Sequence, residues 1–84
     1  MPKLMPSPTA REVFARNLRR VRRLKDMTQE KLALEAEVPR AYVSRVERAS
    51  INISIDNADT LARAVGVPLK DLVDPDKFQG LEDH

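Results

Sequence analysis

Eighty-four residues allow one domain with a small core, of the kind that several short helices can close. There is no cysteine, no apolar run near the roughly 18 residues of a membrane span, and no signal-like apolar stretch in MPKLMPSPTA; disulfide frameworks, thiolate metal sites and a membrane location are therefore not expected, and the cytoplasm is. The net charge of +2 hides a polarity: residues 1–48 hold 12 Lys/Arg against 6 Asp/Glu and residues 49–84 hold 3 against 7, which points to one surface that meets a polyanion and another that does not.

Pro2, Pro6 and Pro8 make residues 1–8 a poor helix and an expected flexible arm. Thr9 with Glu12 reads as a capping box, and Phe14, Leu18 and Val21 recur at i, i+4, i+7, with Val13 and Leu24 at the margins. Arg16, Arg19, Arg20 and Arg23 fill the rest of this first helix as a solvated face, and the helix is expected to end near Asp26. Thr28 caps a second helix of about eight residues, with Glu30 in its positive first turn and Leu32, Ala33 and Ala36 inward. The chain turns at Glu37-Val38-Pro39, and a third helix runs from Arg40 to about Arg48. After a loop at residues 50–53, Ser54 caps a fourth helix whose Ile55, Ala58, Leu61, Ala62 and Val65 are expected to face inward, ended by Gly66 as a C′ glycine. Val67-Pro68 starts a last short turn, Leu69 to Val73, and residues 74–84 form an expected tail docked only by Phe78.

Wound at 100° per residue, the third segment places Val43, Val46 and Glu47 on one side. Ala41, Ser44, Arg45 and Arg48 fall on the other, with Arg40 at the leading end. Two helices joined by a short turn, the second showing a basic face, is the helix-turn-helix plan. The stretches MTQEKLALEAEVPRAYVSRVER and NISIDNADTLARAVGVPLKDLV resemble the phage-repressor/Cro-type (XRE-like) regulators over roughly Leu18 to Val73. Gln29 opens the first motif helix, Ala33 is the small residue at the helix crossing, and Val38, Val43 and Val46 match the apolar positions. RAYVSRVER and NISIDN look most like the small controller proteins of restriction-modification systems.

The resemblance implies an all-α, compact five-helix bundle of the lambda-repressor-like type, with residues 9–73 as the DNA-binding domain. It also implies a transcriptional regulator that inserts helix 40–48 into the major groove of a palindromic operator as a homodimer. The partners expected are double-stranded DNA and a second copy, with no cofactor, metal, membrane or small-molecule ligand. By the same likeness Arg40, Ala41, Ser44 and Arg45 read bases, which suits their chemistry: arginine forks onto guanine O6/N7 and alanine touches a thymine methyl. Gln29 would hold a phosphate with its amide and the helix dipole, and Tyr42, Arg48, Ser50 and Asn52 are further phosphate candidates. Members of the family usually carry glycine where this chain has Asp26, Glu37 and Ala49, a departure that costs about 1 kcal/mol or somewhat more at a left-handed position.

Glu47 points inward by phase, where an unpaired carboxylate is costly, and the likeness supplies Arg22 as its partner in a buried ion pair. The dimer contact is expected at the C-terminal end, from an apolar patch of Leu69, Leu72 and Val73 that a short terminal helix does not bury on its own domain. Catalysis has little support, since His84 is the sole histidine and Ser44 has no base to activate it. A rival class is an antitoxin or adaptor that uses the same fold chiefly to bind a protein.

Overall fold

Thr9 opens α1 (Ala10–Leu24) as its sequence requires: the Thr9 hydroxyl accepts from the Glu12 N–H at 3.2 Å, and the Glu12 carboxylate accepts from the Thr9 N–H at 2.8 Å. The computed structural model describes residues 7–80, so most of the expected arm and the end of the expected tail lie outside the described residues. Four more helices follow, α2 (Gln29–Ala36), α3 (Arg40–Glu47), α4 (Ile55–Val65) and α5 (Leu69–Leu72). Thr28 and Ser54 cap α2 and α4 by accepting from the N–H groups of Lys31 and Asn57 at 2.9 and 3.0 Å. The result is the expected all-α, five-helix arrangement, with no strand among the described residues.

One core joins all five helices. Phe14, Leu18 and Val21 of α1 meet Leu32 and Ala33 of α2, Val43 and Val46 of α3, Leu61 and Val65 of α4 and Leu72 of α5. Each fully buried aliphatic side chain contributes about 1.5–3 kcal/mol. Ala33 and Ala36, both buried, keep the α2 surface low enough for α3 and α4 to pack on it.

Two side chains tie distant segments together. Asn17, fully buried on α1, donates through Nδ2 to the carbonyls of Leu72 at 3.1 Å and Asp74 at 2.9 Å, with that of Asp71 at 3.5 Å. It thereby holds the end of α5 against α1. Lys25, the residue that follows α1, donates through Nζ to the carbonyls of Val65 at 2.8 Å and Gly66 at 3.4 Å, which are left open where α4 ends.

Two expectations about burial need correction. Leu72 is fully buried, because the Asn17 contacts draw α5 onto α1; it is core and not a free interface residue. Of the expected dimer patch, Leu69 is half-buried against the core and only Val73 is exposed, at 45%. Ile55, expected inward, is 78% exposed. It stands in the first turn of α4, rotated from the centre of the helix's apolar stripe.

The first four helices end alike. Asp26, Glu37, Ala49 and Gly66 take φ values of +56°, +57°, +57° and +86°. The next N–H in each case reaches back five residues: Met27 to Arg22, Val38 to Ala33, Ser50 to Arg45 and Val67 to Ala62, all at 3.0 Å. Three of these left-handed caps are the positions where the family resemblance anticipated glycine. Gly66 alone keeps it, and a Cβ there would stand 2.6 Å from Lys25 Nζ. At the exposed Glu37 the left-handed strain exceeds the entropy that glycine would add to the unfolded chain. Glu37→Gly is therefore expected to stabilise the fold by about 0.5–1 kcal/mol, read from the midpoint of urea unfolding; a lower midpoint would contradict the account.

Candidate nucleic-acid interface

α3 divides along its length as the phase argument requires. Val43 and Val46 are buried in the core and Glu47 is buried beside them. Arg40, Ala41, Arg45 and Arg48 are exposed, and Ser44 is half-buried. None of the three arginines takes part in an ion pair among the described residues. The exposed face is therefore a cationic surface around two small side chains, on a helix whose back is fixed.

What fixes the back is polar as well as apolar. Arg22 of α1 grips Glu47 with two parallel hydrogen bonds, Nε to Oε2 at 2.6 Å and Nη2 to Oε1 at 2.9 Å. The two side chains are 9% and 3% exposed, so the pair is buried. Arg22 Nη1 donates to the Met27 carbonyl at 2.7 Å, and Gln29 Nε2 donates to Glu47 Oε1 at 3.1 Å. One carboxylate thus ties α1, the start of α2 and the end of α3. The expected Arg22–Glu47 pair is present, and Gln29 joins it.

That network alters the reading of Gln29. Its amide nitrogen is directed at Glu47 and not outward, so what α2 offers a phosphate is its N-terminal dipole and the remaining amide hydrogen. Ser50 changes role altogether: its hydroxyl donates to the Arg45 carbonyl at 3.1 Å and its N–H to the same oxygen at 3.0 Å. With its only hydroxyl proton used there, Ser50 closes the end of α3 and is not a phosphate donor in this conformation. Tyr42 also departs from expectation, since its hydroxyl is buried and lacks a hydrogen-bond partner among the described residues, while the side chain packs on the core.

Arg48 and Asn52 remain exposed at the end of α3 and in the loop after it. Asn52 and Ala49 share a hollow with Arg11 and the first turn of α1. Sequence alone does not single out Arg11. Its only sequence signal is a positive charge in the basic half of the chain, and it is folding that brings it beside Asn52.

A cationic, outward-facing helix held at a fixed angle by its predecessor defines a helix-turn-helix unit. Residues 18–72 match the helix-turn-helix family HTH_3, and the chain belongs to this XRE-like family of DNA-binding transcription regulators. It is 43% identical over 65 residues to control protein C.BamHI of Bacillus amyloliquefaciens, an overlap that covers 76% of this chain and 80% of that one. Its fold superimposes with a TM-score of 0.79 on the crystal structure of the hypothetical transcription factor NHTF from Neisseria, at 37% identity and with 92% and 90% of the two chains covered. The restriction-modification controller protein C.AhdI from Aeromonas hydrophila gives 0.70 at 35% identity, covering 74% of this chain and 94% of that one. Among the described residues no helix is long and apolar enough to cross a membrane.

Proposed function

We propose that this regulator is a cytoplasmic controller protein of the restriction-modification kind, reading a palindromic operator as a homodimer. The observation that carries this reading is the division of α3, with an exposed cationic front on a helix whose back is locked by the Arg22–Glu47–Gln29 network. Residues 40–48 enter the major groove. Arg40 and Arg45 address base edges by their forked donors, Ala41 lies against a methyl group, and Ser44 donates or accepts beside them. Arg48, Asn52, Arg11 and the α2 N-terminus hold the flanking phosphates and so set the register. One such helix reads only a few base pairs; two copies about one duplex turn (roughly 34 Å) apart give a usable address. The chemistry is binding, and no catalytic role is assigned to Ser44.

The test is to select bound duplexes from a random DNA pool and titrate salt against the selected site. If each subunit neutralises about three to five phosphates, the log–log slope of affinity against salt is about −5 or steeper for the dimer. The selected sequences are expected to be palindromic. A slope near zero, or no enriched sequence, would overturn this reading in favour of an adaptor or antitoxin that binds a protein.

A further inference from the structure

The chain has no cysteine and no tryptophan, so oxidation falls first on methionine. Of Met1, Met5 and Met27, only Met27 lies among the described residues. It stands at the joint between α1 and α2, half-buried, with its side chain packed against the core. Val38, Ser50 and Val67 hold the equivalent place after α2, α3 and α4, and none of them carries a sulfur.

We infer that Met27 is an oxidation site, at which a peroxide converts the thioether to a sulfoxide and so loosens the seat of α3. A sulfur lone pair attacks one peroxide oxygen, the S–O bond forms and the O–O bond breaks. The sulfur is oxidised and the peroxide reduced; the other oxygen takes up the remaining proton and leaves as water. Half-burial leaves the thioether within reach of a molecule as small as hydrogen peroxide while its apolar contacts still hold the joint.

The backbone of Met27 carries the effect inward. Its N–H donates to the Arg22 carbonyl at 3.0 Å, and its own carbonyl accepts from Arg22 Nη1 at 2.7 Å. Arg22 in turn grips Glu47 at the end of α3, and Gln29, two residues after Met27, donates to the same carboxylate. A sulfoxide is a polar acceptor, and keeping it against apolar side chains without a donor is costly. An unbranched side chain with three rotatable bonds can turn outward instead. The apolar contact that fixes the Met27 backbone is then lost, and both of its bonds to Arg22 loosen. The consequence for DNA rests on the reading that α3 enters the major groove.

Hydrogen peroxide applied to the folded full chain tests this, with peptide mass spectrometry locating the added oxygen. Oxygen on Met27 is expected to lower the urea unfolding midpoint and to weaken binding to the selected duplex at least fivefold. Methionine sulfoxide reductases for the two epimers should restore both values. Met27→Leu keeps the side-chain volume, as well as Met1 and Met5, but has no sulfur at the joint. Its midpoint and affinity should survive the same treatment. Each protein is compared with its own untreated sample, so any cost of packing leucine does not enter. Oxygen confined to Met1 and Met5, an oxidised Met27 that leaves midpoint or affinity unmoved, or an equal loss in Met27→Leu would each overturn the site. A midpoint that falls with oxidation of Met27 in a protein that selects no duplex supports the site and overturns the operator reading alone.

Discussion

Glu47→Ala is expected to lower folding stability by about 3 kcal/mol, a large part of the roughly 5–15 kcal/mol that holds a small domain together. The magnitude follows from what is left behind. Arg22 keeps its bond to the Met27 carbonyl but loses both carboxylate oxygens, and a buried guanidinium then faces apolar side chains. Gln29 loses its acceptor at the same time, so the tie between the start of α2 and the end of α3 is gone. Urea unfolding followed by circular dichroism measures the loss. The converse experiment separates the pair from its geometry: Arg22→Met combined with Glu47→Leu removes both charges and should recover much of the stability. It should not recover DNA affinity in full, because the angle of α3 was set by the bidentate clamp. An unfolding midpoint unmoved by Glu47→Ala would refute the buried network.

How far the sequence disclosed this arrangement depends on the reach of each interaction. The caps at Thr9, Thr28, Ser54 and Gly66 were legible because they are local, a side chain or a bare Cα acting within one turn of its own helix. The division of α3 was legible because an eight-residue helix with two valines on one side has a single sensible phase. Asn17 and Lys25 were not legible. They act across 55 and 40 residues on backbone carbonyls, and a carbonyl acceptor leaves no mark on residue type. Leu72 is illegible for the same reason: without the Asn17 latch, a four-residue terminal helix looks unable to bury its own leucine. Ile55 is misleading in sequence because it is apolar and falls near the edge of the stripe that Ala58, Leu61, Ala62 and Val65 centre, where the helix faces solvent. Gln29 and Ser50 were assigned by family resemblance to phosphates, yet each finds an acceptor closer at hand, in Glu47 and in the carbonyl of Arg45.

The Ser50 contact bears directly on the residue expected to contribute most to sequence discrimination. Arg45 lies on the exposed face between Ala41 and Arg48, in the last turn of α3. Its carbonyl receives two hydrogen bonds from Ser50, so the backbone beneath the side chain is fixed, while the guanidinium has no ion-pair partner among the described residues. The main chain under the fork is thus preorganised, and only the side chain has to order when it meets guanine O6 and N7. Arg45→Ala is therefore expected to erase discrimination worth about 1–3 kcal/mol, or about 5- to 150-fold, at one base pair in each half-site. The fold should be untouched, since the site is exposed and alanine is a good helix former. Arg48→Ala provides the contrast. If Arg48 faces a phosphate as proposed, removing it should weaken binding to all sequences alike and make the salt slope shallower by about 1 for each phosphate no longer neutralised. Competition binding against a set of singly substituted operators distinguishes the two. Preference that vanishes at one symmetric pair of positions for Arg45→Ala, and at none for Arg48→Ala, is the expected pattern; unchanged preference at every position in Arg45→Ala would remove Arg45 from the reading face and leave it as one more charge near the backbone.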